Sequence, residues 1–476
     1  MPERTYLELS EDAGVSHKFY EVIVDGATMN IRYGRIGDAG RSSSKTFASP
    51  EAATKEANKK IKSKKKKGYE EAVMGVRKKR PITRRTISET RSTAKGAPTV
   101  WQFKSGSSAF GIFVDEDWAW VGNEAGELYK LSHDGKVDRK YKLPDGVKCI
   151  VADGQWLYAG CDDGNVYDLT GKAPYIAYEI DESVDIYWLD ISDGILGISD
   201  SKGGIMAVNH EDENQWSHSS SGSSGWMVRC DEHGLYHGHS GGVTHYDWDG
   251  DSIWTRKTKG SVLFGWQDED EVFAGTSGRA VQRINKSTGE VVNTYPCDAA
   301  IYSCATSDDG LYVFAGDSSS SIYCFGPDNK RIWKFNTGCG SAFSMQYFNE
   351  KLYIVTTKGV LSAIDVSLEA IKAAEAGTTP KVKNVKASAA VVSDTRQAEA
   401  ALETTSSAGD GVVVECYKKG SKLKIRVVSD GYKKDLNVQF PKKIRKEGMR
   451  YVVREVREAS NGSFYRAMGP IKVLES

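Results

Sequence analysis

The stretch LYVFAGDSSSSIYCFGPDNKRIWKF, residues 311–335, contains the unit from which most of this chain is built. An apolar strand ends in a turn of small residues, an alternating strand follows, and a turn with Gly and Asp leads to an outer strand. The unit recurs about every 35 to 40 residues. Further copies of its inner part are AWVGNEAGELYKLSHDGK (119–136), LYAGCDDGNVYDLTGK (157–172), LGISDSKGGIMAVNHED (196–212), LYHGHSGGVTHYDWDG (235–250), VFAGTSGRAVQRINKSTGE (272–290) and LYIVTTKGVLSAIDVS (352–367).

The copies give seven inner hairpins, and a repeat of this length is typical of four-stranded propeller blades. No outer strand follows the seventh hairpin. VWQF (100–103) matches IWKF (332–335) and precedes the first hairpin. We therefore predict a mainly β protein with a seven-bladed β-propeller over residues 100–368, in which this early strand completes the last blade and leaves only short protected edges.

The cadence of Leu-Tyr or Val-Tyr pairs followed by Gly resembles PQQ-like propellers and, less closely, WD40-like propellers. Quinoprotein dehydrogenases of the PQQ-like group are generally exported and have eight blades with a quinone cofactor and calcium. This sequence has seven repeats, no apolar leader segment, and no GxSxG, HExxH or P-loop motif. We expect a propeller that binds no cofactor, is not an enzyme, and uses its loops and central mouth to bind a protein, a peptide or a basic partner.

Histidines are concentrated in one part of the propeller, since six of the eight lie between His210 and His245. His237 and His239 share one face of a strand, and Cys230 is near in sequence. These residues match no metal-ligand spacing, so we expect ordinary strand histidines and no metal. Aspartate pairs such as Asp162 with Asp163 and Asp308 with Asp309 are assigned to turns.

Residues 1–75 are predicted to form a small α+β module. KFYEVIVDGATMNIRYGRIG, residues 18–37, indicates two strands joined at Asp25-Gly26. Ser49-Pro50-Glu51 indicates the start of a helix, with an N-cap, a proline at the first helical position and an acid in the first turn. Ala53, Ala57 and Ile61 mark its buried stripe, and Gly68 is its expected end.

The runs RTYLEL, FYEVIVDG, RYGRIG and KTFASPEAATKEANKKIKSKKKKGYEEA, in this order over residues 4–72, resemble the WGR domain. WGR domains occur in DNA-dependent poly(ADP-ribose) polymerases, where they engage DNA ends, and in many bacterial proteins. The signature falls on Tyr33, Gly34, Arg35, Ile36 and Gly37, with tyrosine in place of the tryptophan. The resemblance implies that Tyr33 packs on the sugar of a DNA end, with Arg32, Arg35 and Arg41 near phosphates. The alternative is that Tyr33 and Ile36 are core residues and Arg35 is a structural ion-pair partner.

A strongly basic segment follows the signature. Lys64, Lys65, Lys66 and Lys67 end the helix, and the linker 76–99 adds RKKRP (77–81) and RR (84–85). Such clusters form phosphate-seeking strips, and in a eukaryote they indicate nuclear localisation.

The chain after the propeller divides into a linker and a last module. Residues 369–410 lack Trp, Tyr and Phe, which predicts a flexible tether. Residues 411–476 show five short strand patterns, which predict a small basic β-barrel, SH3-like or OB-like. Alternation places Lys422, Lys424 and Arg426 on one strand face, where they can follow a phosphate backbone or form an ordinary solvated face.

Charge is segregated along the neutral chain. Residues 1–98 hold 22 Lys and Arg against 12 Asp and Glu (+10), and residues 411–476 hold 16 against 7 (+9). The middle, 99–410, holds 26 against 45 (−19). Both ends therefore suit polyanions, whereas the propeller is acidic. The eight scattered cysteines form no CxxC pair, which fits a reducing compartment, and no run has the length of a membrane helix, so we expect a cytoplasmic protein, nuclear if the source is eukaryotic.

Two functions fit these patterns. The first is a non-enzymatic nucleic-acid-associated adaptor, in which the WGR-like domain binds DNA or another nucleic acid and the propeller recruits an unidentified protein. The second is a protein-interaction scaffold whose basic modules contact acidic proteins or fold back on the acidic propeller. A preference for DNA ends over closed circles separates the two, because the scaffold predicts none.

Overall fold

The structure is a computed structural model of the 476-residue chain. It describes residues 3–10, 17–35, 41–67, 69–71, 92–154, 156–170, 174–181, 184–211, 214–222, 225–386, 391–394, 404–420, 422–440, 444–459, 462–468 and 471–474. The chain divides into two compact units, Met1–Thr86 and Ile87–Ser476.

The first unit is a five-stranded sheet with one helix on it. In chain order it contains β1 (Glu3–Ser10), β2 (His17–Asp25), β3 (Thr28–Arg35), β4 (Arg41–Thr46), α1 (Pro50–Lys65) and β5 (Glu70–Glu71). The sheet order is β4-β3-β2-β1-β5. Gly26 has a φ of +53°, which suits the two-residue turn between β2 and β3. The predicted hairpin and helix start are confirmed, since the Ser49 hydroxyl accepts from the Ala52 N–H at 3.3 Å.

The second unit begins with β6 (Thr99–Lys104), followed by repeated antiparallel sheets. The first three comprise β7 (Ala109–Val114), β8 (Ala119–Asn123), β9 (Glu127–Leu131) and β10 (Val137–Lys142); β11 (Val147–Asp153), β12 (Trp156–Cys161), β13 (Asn165–Asp168) and β14 (Tyr175–Glu179); β15 (Ile186–Ser192), β16 (Ile195–Asp200), β17 (Gly204–Val208) and β18 (Asn214–Ser219).

The next sheets continue the pattern. They comprise β19 (Met227–Asp231), β20 (Gly234–His239), β21 (Gly242–Tyr246) and β22 (Ser252–Lys257); β23 (Val262–Gln267), β24 (Glu271–Thr276), β25 (Ala280–Asn285) and β26 (Val291–Pro296); β27 (Ile301–Thr306), β28 (Val313–Asp317), β29 (Ser321–Phe325) and β30 (Arg331–Asn336); and β31 (Ala342–Phe348), β32 (Lys351–Thr356) and β33 (Val360–Asp365). The first strand of each sheet contacts the first strand of the next, and β31 contacts β7, so the seven sheets of the described chain close into a ring.

The ring is closed by β6, as the sequence predicts. It pairs antiparallel with β33 and places Phe103 opposite Leu361. Trp101 lies on β6, is 1% exposed, and donates its indole N–H to the carbonyl of His133 in the first sheet at 2.9 Å. Outer-strand tryptophans of other sheets repeat this bond over the same 32-residue separation, from Trp216 to Trp248 and from Trp254 to Lys286. Each bond joins neighbouring sheets.

Local hydrogen bonds and close packing explain why the repeated sequence unit forms these sheets. In the stretch 311–335, the Asp317 carboxylate accepts from the N–H groups of Ser319 and Ser321 at 2.8 Å each, which fixes the turn between β28 and β29. The recurrent strand glycine is required by packing. A Cβ on Gly122 would lie 2.4 Å from Val147 of the next sheet, so only glycine permits this approach.

The segment 369–410 differs from the expected tether. Leu368–Glu375 forms α2, which buries Ile371 and Ala374 against the propeller. β34 (Lys383–Val385) then pairs parallel with β6, and β35 (Val391–Asp394) pairs parallel with β10. A segment without aromatic residues takes up this structure because the outer strands offer it backbone partners.

The C-terminal domain contains β36 (Thr404–Thr405), β37 (Val412–Lys419), β38 (Lys422–Val427), β39 (Asn437–Gln439), β40 (Arg450–Val453), β41 (Glu455–Glu458), β42 (Phe464–Met468) and β43 (Lys472–Leu474). The segment 450–458 forms two strands that are separated at Arg454. β40 pairs with β37, whereas β41 pairs with β42 at the far end of the sheet order, so the sheet curves back on itself. The choice between SH3-like and OB-like barrels stays a prediction.

The C-terminal domain docks on the second and third sheets of the propeller. Arg466 is 3% exposed, forms an ion pair with Asp153, donates to the Tyr158 hydroxyl at 3.0 Å and lies 4.2 Å from the centre of the Trp156 ring. The Phe464 ring stacks on the imidazole of His210, with 3.8 Å between centres. These contacts join the two parts into one compact unit.

We expect the docked domain to lose stability in acid through His210. Burial lowers the pKa of His210 to about 4, and Lys424, Arg466 and Arg445 also disfavour the charged ring, whereas Glu211 favours it. The exposed imidazole of the unfolded chain titrates near pH 6.5. The contribution of neutral His210 to the free energy of unfolding is therefore fully present above about pH 6.5 and is lost as the pH drops toward 4. Thermal unfolding at pH 7.5 and 5 should show this loss.

His210→Phe keeps an aromatic ring against Phe464 and should reduce the pH dependence. His233→Gln, at an exposed turn, is the matched control. Equal pH dependence in wild type and His210→Phe would contradict the assignment.

No helix of the described chain is long and apolar enough to cross a membrane.

Candidate nucleic-acid interface

The signature residues of β3 lie on opposite faces of the first unit's sheet. Tyr33 is opposite Tyr20 of β2 and Arg41 of β4, on the face that α1 covers. Arg32, one residue earlier, is opposite Glu21 and points to the other face. The structure therefore separates Arg32 from Tyr33.

Arg32 is part of a structural ion-pair group. Glu21 is 3% exposed, and its carboxylate accepts from the Arg32 Nε at 2.8 Å and pairs with Arg4 at 2.6 Å. The Arg32 guanidinium also lies 5.0 Å from the centre of the Phe19 ring. Arg32 thus has a structural ion-pair role of the kind considered for Arg35, and the role of Arg35 itself stays a prediction.

The other signature positions lie at the end of β3. Gly34 is opposite Phe19, on the Arg32 face. The structure describes the backbone of Arg35 but not its side chain, and Ile36 and Gly37 lie outside the described residues.

Tyr33 belongs to a partly exposed surface that we call the aromatic-lysine surface: Tyr33, Tyr20, Tyr69, Arg41 and Lys64. Tyr33 is 43% exposed, and its ring centre is 6.3 Å from that of Tyr20. The Lys64 ammonium lies 4.4 Å from the centre of the Tyr20 ring and 4.9 Å from that of Tyr69. Burial, aided by Tyr33, Tyr69 and Glu56, raises the pKa of the Tyr20 hydroxyl above its ordinary value.

Sequence reasoning missed Tyr20 and Tyr69. The hairpin register could have found Tyr20, because the two-residue turn pairs Asp25 with Thr28 and therefore Tyr20 with Tyr33. Tyr69 is brought to this place only by the packing of the chain after α1.

The lysines of the predicted cluster differ in their contacts. Lys65 donates to Glu71 at 2.5 Å, and this bond lowers the pKa of Glu71. Lys66 caps α1, and both Lys66 and Lys67 are exposed. RKKRP (77–81) and RR (84–85) lie outside the described residues.

The predicted C-terminal row is largely engaged within the chain. The Lys424 ammonium contacts both carboxylate oxygens of Glu211 in the propeller, at 2.9 and 3.0 Å. Arg426 donates to Glu415 at 2.6 Å, and hydrogen bonding from Arg426, with Arg450, lowers the pKa of that carboxyl group. Lys422 is exposed on the same strand. Lys424 and Arg426 already have carboxylate partners, which sequence alternation does not reveal.

His237 and His239, the two histidines that share a strand face, are held by ordinary polar contacts. His237 is within hydrogen-bond distance of the Met227 carbonyl (3.1 Å) and the Ser220 hydroxyl (2.8 Å), and His239 of the Thr244 hydroxyl (2.9 Å). The described residues contain no group of three His, Cys, Asp or Glu side chains able to hold a metal ion.

Comparison with known proteins identifies two parts of the chain. Residues 3–76 match the family model of the WGR domain, so the chain carries a WGR domain. Over 56 residues it is 39% identical to the uncharacterized protein YfeS of Escherichia coli (strain K12). That match spans 12% of this chain and 23% of YfeS, so the chain spans about a quarter of the length of that curated relative.

The second part is similar to solved structures. The WD40 β-propeller domain of Doa1 aligns with 58% of this chain and 98% of its own length, at a TM-score of 0.51 and 13% identity. A computationally designed protein, Ika8, aligns with 57% of this chain and all of its own length, at a TM-score of 0.46 and 12% identity. The likeness to Doa1 shows that the repeated sheets form a WD40-like β-propeller fold.

Proposed function

We propose that this protein is a non-enzymatic adaptor whose WGR domain binds DNA through the aromatic-lysine surface and whose propeller recruits a protein. The exposed ring of Tyr33 beside the Tyr20 and Lys64 pair carries the proposal. An exposed tyrosine can stack on a base or sugar, and the adjacent cations can neutralise phosphates. Known WGR domains bind nucleic acid, which supports the same role here.

The role of Tyr33 can be tested with the full chain and fluorescent duplex DNA, blunt-ended or covalently closed, at two salt concentrations. Tyr33→Ala should weaken binding to ends about tenfold, since stacking contributes roughly 1–3 kcal/mol. Arg41→Ala should weaken binding to both DNA forms and reduce its salt dependence by about one phosphate contact.

Lys330→Ala is the charge-matched control, because Lys330 lies in an exposed turn of the propeller and pairs with Asp328 of the same turn. Equal binding of ends and closed circles, with no effect of Tyr33→Ala, would refute the DNA-end role.

The scaffold is the second candidate, and one contact favours it. Lys424 of the basic C-terminal domain pairs with Glu211 of the acidic propeller, so a basic module already serves an intramolecular contact. On this reading the basic surfaces contact carboxylates, and the protein has no preference for DNA ends.

The non-enzymatic part of the proposal is supported by the cysteines. All eight are buried thiols outside disulfides, and burial raises the pKa values of Cys149 and Cys304 to about 12, so neither forms a nucleophilic thiolate at neutral pH. A redox cofactor that copurifies with the full chain would contradict this part of the proposal.

A further inference from the structure

The innermost strands of the propeller share an irregularity in pairing near their first residues. In six of the seven described sheets the pairing register shifts at the second residue of the strand, which is the mark of a β-bulge. The bulged residues are Phe110, Lys148, Tyr187, Leu263, Tyr302 and Phe343. The fourth sheet pairs without a shift, and Trp226 lies just before its first strand.

These seven residues converge on the axis of the propeller, and we call them the axial ring. Phe110 of the first sheet and Trp226 beside the fourth are 6.4 Å apart between ring centres, although their sheets are not neighbours. Phe110 stacks on Phe343 at 4.3 Å, and Tyr187 lies 5.1 Å from Trp226. Tyr302 lies 5.7 Å from Phe343. The contacts cross the centre of the ring of sheets.

Packing between sheets does not require these bulges. The residue before the bulge performs that task, as Val147 does against Gly122. Each bulge turns the side chain of the bulged residue toward the axis. Bulges beside binding sites commonly redirect a side chain in this way. Phe110 and Phe343 are buried, whereas Tyr187, Trp226 and Tyr302 remain partly exposed. The axial ring thus presents aromatic surface to solvent.

Carboxylates border the axial ring on one side. The Lys148 ammonium lies 4.4 Å from the centre of the Phe110 ring, 3.4 Å from Glu124 and 3.5 Å from Asp162. Glu124 and Asp162 follow the strands that pair with the starts of β7 and β11, so they lie at the same end of the propeller. Asp162, assigned to a turn by sequence, faces Lys148, whereas Asp163 caps the turn by accepting from Asn165 N–H at 3.1 Å.

We propose that the axial ring and its bordering carboxylates bind a lysine or arginine side chain of a partner peptide. This inference rests on the proposed partner-recruiting role of the propeller and names the chemistry of that partner. A cation is attracted by exposed aromatic faces and by carboxylates in partly desolvated surroundings. The Lys148 ammonium lies over Phe110 and between Glu124 and Asp162, so it neutralises one of these two carboxylates and leaves one negative charge for a partner cation when both are ionised. The acidic propeller favours a basic partner over long distances as well.

The test uses acetylated and amidated Gly-Ser nonapeptides with one central Lys, Arg, norleucine or citrulline. The full chain is labelled with 5-fluorotryptophan, and the Trp226 signal in ¹⁹F NMR is assigned by its loss in Trp226→Phe. Lys and Arg peptides should shift the Trp226 signal and bind at least tenfold more tightly than the norleucine and citrulline peptides.

Variants of the site sharpen the test. Glu124→Gln and Tyr187→Leu should each weaken binding about threefold to tenfold, as expected for one ion pair or one cation–π contact. Asp328→Asn, in an exposed turn at the opposite end of the propeller, is the matched control and should bind like wild type. Burial, with nearby Asp185 and Asp145 and against Lys148, raises the pKa of Asp162 to about 7. Binding should therefore weaken from pH 8 to pH 6.

Three results would overturn the site: norleucine binding as tightly as lysine, no shift of the Trp226 signal with the Lys and Arg peptides, or affinity unchanged by both site variants. None of them affects DNA binding through Tyr33, which is measured separately. Loss of peptide binding with intact DNA binding would therefore reject this site and retain the nucleic-acid role of the WGR domain.

Discussion

Replacing Arg466 with alanine is expected to release the C-terminal domain from the propeller and to cost about 3–5 kcal/mol of the free energy of unfolding. Arg466 is almost fully buried, and its guanidinium pairs with Asp153, donates to Tyr158 and covers the Trp156 ring. Its removal leaves the Asp153 carboxylate without its cation in a partly desolvated interface. The large expected cost comes from that unpaired, buried charge.

Urea unfolding and hydrogen exchange of peptides covering 150–158 and 462–468 measure this effect. The double variant Asp153→Asn with Arg466→Ala should recover part of the loss, because no charge is then stranded. Arg457→Ala is the matched control, since Arg457 pairs with Glu455 at a more exposed position and should cost about 1 kcal/mol or less. Equal losses for Arg466→Ala and Arg457→Ala would show that the buried ion pair is not what holds the domain.

Trp101→Ala should be similarly severe, at about 3–5 kcal/mol, because it removes the largest buried side chain of the strand that closes the ring. Trp101→Phe should cost less, since it keeps an aromatic ring and loses mainly the hydrogen bond to His133. Thermal and urea unfolding give the magnitudes, and faster hydrogen exchange in β6 and β33 would locate the opening.

Val292→Ala is the control for the closing strand. Val292 is exposed on the outer strand β26, so its truncation should change stability by only about 0.5 kcal/mol. If Trp101→Ala were as mild as Val292→Ala, the closing strand would not stabilise the ring.

Much of the fold follows from local sequence chemistry. Asp317 fixes its turn through hydrogen bonds to residues two and four positions later, and Gly26 supports a two-residue hairpin. The pairing of VWQF with the last hairpin was also predictable, because a repeat without an outer strand needs one from elsewhere. The WGR domain was recognisable from the order of its strands, its signature turn and its helix.

The candidate site was only partly predictable. Period-two alternation places Arg32 and Tyr33 on opposite faces, but the sequence does not show that Glu21 is the buried partner of Arg32. Lys424 likewise has the pattern of a solvated strand face, and only the docking of two domains gives it Glu211 as a partner. The sheet face on which a residue lies follows from the local sequence, whereas the residue that it contacts depends on chain segments that are distant in sequence.

The sequence by itself determined the repeated sheets, the closing strand, the WGR domain and the segregation of charge, because turns, alternation and composition act over short distances. Only the tertiary structure decided that Arg466 joins the C-terminal domain to the propeller and that bulged residues from six sheets meet Trp226 at the axis. Each bulge is one residue in one strand. The axial ring exists only because ring closure brings strands spread over more than two hundred residues, from β7 (Ala109–Val114) to β31 (Ala342–Phe348), to a common centre.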